Sequence, residues 1–309
     1  MSRTVAAVDC GTNSIRLLVV RHDGHHTEEL ARETRLARLG QGVDATGEFH
    51  PDALERAFTI FREFAAIIAA HGPAETRVVA TSAARDVSNR ADFEAGVREH
   101  LGVDPDIISG DEEARLSTAG VLSGVDVPRP VLILDIGGGS TELILVDEGD
   151  TIRHQVSLNI GAVRVRERFL PSDPPAADEV AAARAFIAEQ IDGSGIPFDE
   201  VATAVGVAGT ATSFAARRLG LLEYSRSAVH EVELTADFIV EATDHWLETP
   251  AGVITQEPCM HPLRAQVIGA GGLILEALST RVPGGSVMVS ETDILDGIAL
   301  SILDRQPLD

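Results

Sequence analysis

The sequence predicts an α/β protein built from two homologous halves. Three observations carry this. First, residues 5–20 (VAAVDCGTNSIRLLVV) and 131–146 (VLILDIGGGSTELILV) share one pattern: apolar run, aspartate, glycine turn, serine, apolar run. A spacing of 126 residues matches Asp9 with Asp135, Gly11 with Gly137, Ser14 with Ser140, Leu17 with Leu143 and Val20 with Val146. Second, strand-like segments alternate with amphipathic helical ones after each copy. Third, 309 residues with 44% hydrophobic content suffice for two cores, which must be aliphatic because aromatics make up only 4%.

Each copy reads as strand, tight turn, strand. Glycine lets a ligand approach the backbone closely, and successive N–H groups in such a turn form a concavity for an anion. Asp135, at a strand end, suits a metal-bound water facing that anion. The two halves are expected to face each other across a cleft. The division falls at 1–125 and 126–309, with GVDVPRP (124–130) as linker and a final helix near 291–304 packing back on the first half.

Composition excludes several classes. All 25 cationic side chains are arginines, so the lysine of a Walker-type phosphate loop is absent. A net charge of −23 repels nucleic acid, and no run of about 18 apolar residues offers a membrane span. The same charge repels a polyanionic substrate at long range; if the ligand is a phosphate chain, arginines must cluster locally, with a divalent cation between them and the carboxylates. Cys10 and Cys259 have no metal or disulfide spacing, and the chain enters a strand without a signal peptide. A cytoplasmic protein is expected.

Along the chain, strands are expected at 4–9, 15–21 and 27–33, then a glycine-rich loop at 34–49 holding Arg35 and Arg38. Residues 51–70 place Ala53, Leu54, Ala57, Phe58, Phe61, Phe64, Ala65 and Ile68 on one helical face, with Pro51 in the first turn and Gly72-Pro73 as the stop. TRVVATSAARD (76–86) is a strand ending at Thr81-Ser82, with Arg85 just beyond, where open α/β sheets bind ligands. In DIISGDEEARLSTAGVL (106–122), Ser109 and Glu112 fit a capping box, so helix-dipole compensation alone accounts for Asp111, Glu112 and Glu113. After the second hairpin, a strand covers 151–160. The arginines 164, 166 and 168 either line the cleft or solvate a helix, with Arg164 favoured as the inward one. Ser172 or Asp173 caps a helix to 191. VATAVGVAGTATSFAARRLG (201–220) is a strand–GxAGT–helix step whose small residues, with Gly209 and Thr210, serve either a phosphate or nucleotide at the helix N-terminus or close helix–strand packing. Helices follow at 236–248 and 263–279. SVMVSETDILDGIALSIL (286–303) is a strand and a last helix, with Ser290 and Asp293 in a capping pattern. No histidine has metal spacing and no GxSxG elbow occurs.

Together VDCGTNSIRLLV (8–19), RLGQGVDATG (38–47), ATSAARD (80–86), ISGDEEARL (108–116), LDIGGGSTEL (134–143), GVAGT (206–210) and SETDILDGI (290–298) resemble the exopolyphosphatase/guanosine pentaphosphate phosphohydrolase family, in the family's order and over nearly the whole chain. The resemblance implies two ribonuclease-H-like domains of the actin/Hsp70/sugar-kinase superfold around a cleft. It implies Glu113 as general base, and Asp135 and Glu142 as acids that place Mg²⁺ and water, with Asp9 as the first-half metal candidate. Gly137, Gly138, Gly139 and Ser140 match the phosphate loop. Gly11, Thr12, Asn13, Ser14 and Arg16 match its counterpart, and Arg85 matches an arginine holding the phosphate chain. Two departures stand out. HPLRAQ (261–266) puts Leu263 and Gln266 where the family has a glycine and an acid. The chain also stops at 309, whereas long exopolyphosphatases add a helical region with an HD-type site; a short form is implied.

The expected function is Mg²⁺-dependent release of terminal orthophosphate from polyphosphate. Guanosine pentaphosphate is the alternative substrate, and a non-catalytic sensor of either ligand is a further alternative. A kinase of the same superfold lacks a sugar-binding signature here. A homodimer is compatible with a cleft enzyme of this kind.

Overall fold

A computed structural model describes residues 2–85 and 87–304; Asp86, the last residue of ATSAARD, lies outside them. The strands are β1 Arg3–Cys10, β2 Ser14–His22, β3 Thr27–Leu36, β4 Glu75–Ala80, β5 Pro105–Ile107, β6 Val131–Ile136, β7 Thr141–Val146, β8 Ile152–Leu158, β9 Thr203–Val207, β10 Glu233–Thr235 and β11 Ser286–Val289. The helices of eight or more residues are α1 Pro51–His71, α2 Arg90–Leu101, α3 Gly110–Leu122, α4 Ala162–Phe169, α5 Ala177–Asp192, α6 Ala208–Arg218, α7 Ala236–Glu248, α8 Ile268–Ser279 and α9 Ile294–Leu303. None of the described helices is long and apolar enough to cross a membrane.

The chain divides into two compact units. One runs through Ser123 and resumes at Asp293; the other is Gly124–Thr292. The first holds a sheet in the order β3-β2-β1-β4-β5, with β1–β2 and β2–β3 antiparallel and β1–β4 and β4–β5 parallel. The second has the order β10-β11-β9-β6-β7-β8. Read from β8, it repeats the first with the same strand directions, and β10 is added on the edge beyond β11. This is the ribonuclease-H-like order, present twice. The three-residue β10 carries too short a pattern to be visible in the sequence.

In the first unit β1 alternates by the two-residue strand period. Ala6, Val8 and Cys10 join Phe49, Phe61, Phe64 and Phe93 on one face. Val5 and Ala7 join Leu116, Ile294, Leu295, Ile298 and Ile302 on the other. Cys10 is a buried free thiol, and Cys259 is also free, in keeping with their lack of disulfide spacing. Helix α1 begins at Pro51 with His50 as cap and ends at Gly72 in the left-handed region (φ 55°). The contact between α3 and α9 is made by glycines: an ideal Cβ at Gly120 would stand 1.8 Å from Asp293 O, and one at Gly297 1.9 Å from Leu116 O. In the second unit Phe214 meets Trp246 edge-on at 4.8 Å within an otherwise aliphatic core.

Several local expectations are corrected. Helix α5 starts at Ala177, not Ser172. Ser172 and Asp173 bond elsewhere: Ser172 Oγ donates to Glu179 Oε1 (2.7 Å) and Asp173 Oδ1 accepts from Ala251 N (2.9 Å). The helix expected over 263–279 breaks into Pro262–Ala265 and α8. The cap of α9 is Asp293, whose partner in the box is Asp296; Ser290 instead turns its hydroxyl to Thr292 O (2.9 Å).

Candidate active site

The turn joining β1 to β2 closes with Gly11 N donating to Ser14 O at 2.9 Å. The turn joining β6 to β7 closes with Gly137 N donating to Ser140 O at 3.0 Å. Both turns anchor by their carbonyls. Thr12 O accepts from Gly40 N (2.8 Å), and Asn13 O from Ala37 N (3.0 Å) and Arg38 N (2.9 Å). In the second unit Gly137 O accepts from Ala162 N (2.9 Å), and Gly138 O from Val163 N (2.8 Å) and Arg164 N (3.1 Å). In a trans peptide the carbonyl and the following N–H point in opposite directions. Fixing the carbonyls therefore aims the N–H groups of Asn13 and Ser14, and of Gly138 and Gly139, the other way. That is the donor row an anion requires. Glycine is needed for this closeness at Gly161, where an ideal Cβ would fall 2.4 Å from Gly138 O.

In the first unit the turn lies at the carboxyl end of β1, beside those of β4 and β5. Thr12 Oγ1 lies 3.0 Å from Ser82 Oγ, in the one-turn helix Ser82–Arg85 after β4. Arg85 Nη1 lies 3.0 Å from Glu113 Oε2. The three acids opening α3 are sorted by burial. Asp111 is exposed, Glu112 is half-buried and pairs with Arg115 (2.8 Å), and only Glu113 is buried, at 5% exposure. Ser109 caps the helix through Glu112 N (3.2 Å). Capping thus involves Glu112, and Glu113 is the acid turned inward toward an arginine.

In the second unit Asp135 stands directly across from Glu142 in the β6–β7 ladder. Both are buried, at 8% and 2% exposure, and Glu142 Oε1 accepts from Ser157 Oγ at 2.8 Å. The equivalent pair in the first unit is Asp9 and Arg16. There Asp9 Oδ2 accepts from Arg16 Nε (2.9 Å) and Nη2 (2.6 Å), and Arg16 Nη1 donates to Asp293. Burial pushes the Asp9 carboxyl up, and Arg16 opposes it. So one hairpin carries its cation as a guanidinium, whereas the other sets two carboxylates face to face.

That difference tests the metal expectation. Like charges directly opposite on a sheet repel unless a cation offsets them. Asp135 and Glu142 fit one; Asp9 already holds Arg16. Among the described residues no group of three or more His, Cys, Asp or Glu is placed to hold a metal. A two-carboxylate seat suits Mg²⁺, which keeps several of its waters.

The GVAGT step lies where β9 meets α6. Ala208 there has φ 61°, a left-handed value uncommon outside glycine. An ideal Cβ at Gly209 would stand 1.7 Å from Arg264 Nη1, so the arginine of HPLRAQ lies against this step; Thr210 is buried. Arg164, Arg166 and Arg168 are on helix α4, with Arg166 Nε donating to Gln266 O (3.2 Å). Arg35 lies in β3, not in the loop expected over 34–49, and pairs with Glu33 (2.8 Å) and Glu63 (3.1 Å). Asp293, read in the sequence only as a cap, was missed as a partner of Arg16. Its separation of 277 residues left no local signal.

Comparison with known proteins gives one family. Exopolyphosphatase 2 of Mycobacterium tuberculosis is 39% identical over 96% of this chain and 98% of its own. A crystal structure of an exopolyphosphatase-like protein is 38% identical, with a TM-score of 0.93 over 97% of this chain and 98% of that one. The Ppx/GppA family member of Aquifex aeolicus is 27% identical, with a TM-score of 0.83 over 99% of this chain and all of its own. The family model for Ppx/GppA phosphatases matches residues 18–306, and the chain belongs to the Ppx/GppA phosphatase family.

Proposed function

We propose that the protein is an exopolyphosphatase, releasing orthophosphate from the end of inorganic polyphosphate. The observation that carries this reading is the buried Glu113, held 3.0 Å from Arg85 beside the Thr12 turn. In this reading Glu113 accepts the proton of the attacking water. Arg85 holds a phosphoryl oxygen and keeps the Glu113 carboxylate aimed. The N–H row of the first unit's glycine turn takes up the charge that grows on the phosphoryl oxygens in the transition state. Within the second unit, its own glycine turn and the head of α6 at Gly209 and Thr210 offer donors for phosphate. Asp135 and Glu142 would hold Mg²⁺, whose contribution when bound is to offset phosphate charge. The names of the relatives support polyphosphate as substrate.

Guanosine pentaphosphate ends in the same phosphoanhydride, and the same groups would serve it. The test is phosphate release with Mg²⁺ from short polyphosphate, long polyphosphate and guanosine pentaphosphate side by side. Faster release from polyphosphate is the expected result. Release from the nucleotide alone would reassign the substrate. Tight binding with no release from any of the three would replace the hydrolase with a sensor.

A further inference from the structure

The two carboxylate oxygens of Asp293 do different work. Oδ1 accepts the N–H of Leu295 at 2.9 Å and so caps α9, while Asp296 Oδ2 accepts the Asp293 N–H at 3.1 Å. Oδ2 accepts from Arg16 Nη1. A cap requires only the first of these. Nor is the second required to fasten α9 to the sheet. Arg32 on β3 already pairs with Asp296, and Gly120 and Gly297 bring the backbones of α3 and α9 together.

Oδ2 acts on Arg16. That guanidinium is gripped along its Nε–Nη2 edge by Asp9 on β1 and at Nη1 by Asp293 at the head of α9. Two carboxylates from separate elements fix the plane of a rigid, planar fork. The trio carries one net negative charge, so Asp293 does not make the site more attractive to an anion. What it supplies is direction, just past the Gly11–Asn13 turn.

We propose that Asp293 is a positioning residue: by fixing the Arg16 guanidinium beside the first phosphate turn, it raises the rate of phosphoanhydride hydrolysis without strengthening substrate binding. This rests on the reading of that turn as a phosphate site. Asp293→Asn separates the two jobs. Its carbonyl still caps α9, because asparagine caps as well as aspartate, but its charge on Arg16 is gone. Asp293→Ser is the second variant, and serine also caps. Melting temperature and steady-state phosphate release from polyphosphate with Mg²⁺ are measured on the full chain. The expected result is a melting temperature within about 3 °C of wild type, kcat lowered about 10- to 100-fold, the scale of a misaligned group, and KM unchanged or lower. Unchanged kcat in either folded variant would overturn the proposal. So would a rise in KM with kcat intact, or a loss of activity that only follows the folded fraction. An inactive wild type would overturn the underlying site reading; an active wild type beside an equally active Asn variant would overturn this inference alone.

Discussion

Asp135 faces Glu142 across the β6–β7 hairpin, both buried, at the position where the first unit pairs Asp9 with Arg16. In the proposed reading these two carboxylates hold Mg²⁺. Chelation should abolish phosphate release and Mg²⁺ should restore it. Asp135→Asn and Glu142→Gln should each raise the Mg²⁺ concentration for half-maximal activity by about 10-fold or more, the scale of a lost metal-site group. Titrating Mg²⁺ against activity checks this; unaltered requirements in both variants would remove the pair from metal binding.

Gly297 tests the α3–α9 contact. Alanine inside a helix ordinarily gains about 1 kcal/mol over glycine. Here its Cβ would meet backbone, Leu116 O, at 1.9 Å. The expected net effect is a loss of about 2–3 kcal/mol, as for overpacked cores, read by denaturant unfolding. Gly252→Ala, where a Cβ meets nothing within 4 Å, is the control and should be neutral or stabilising.

Glu257 ties the segment before HPLRAQ to α6 and α7. Burial pushes its carboxyl up, but Trp246 Nε1 (3.0 Å), His245 Nε2 (2.7 Å) and Arg217 Nη1 (2.9 Å) together hold it below the ordinary glutamate value. A carboxyl whose folded pKa is depressed contributes stability above its unfolded pKa and loses it as pH falls through the folded value. Glu257→Gln should therefore lower the melting temperature at pH 7, by the equivalent of about 1–2 kcal/mol given its partial exposure. The gap from wild type should close as pH falls below the ordinary glutamate value and through the lower folded one. A gap independent of pH would show that packing, not charge, is responsible.

The periodic and duplicated parts of the protein were legible in its sequence. The hairpin pattern at 5–20 and 131–146 is local and repeats, so it located β1–β2 and β6–β7 and placed Asp9 and Asp135 at equivalent points. The choice among Asp111, Glu112 and Glu113 was not legible from helix-capping physics, because all three sit in one first turn; burial and Arg85 separate them. The family resemblance implies Glu113 as the general base. Side-chain partners distant in sequence stayed hidden. Arg16 matched a phosphate-loop pattern, yet its hold by Asp293 arises only when α9 returns to the first sheet. Caps were misplaced where several cap-forming residues lie together, as at Ser172-Asp173 and Ser290–Asp293.

The most direct measurement is the time course of orthophosphate release from polyphosphate by wild type and Glu113→Gln, with Mg²⁺ and equal folded protein. The substitution keeps the size of the side chain and removes its basicity. Wild type should release phosphate steadily, and the variant should be slower by about 10²-fold or more, as when a general base is lost. Equal rates in the two proteins would contradict the account, because the buried acid paired with Arg85 would then have no part in the reaction.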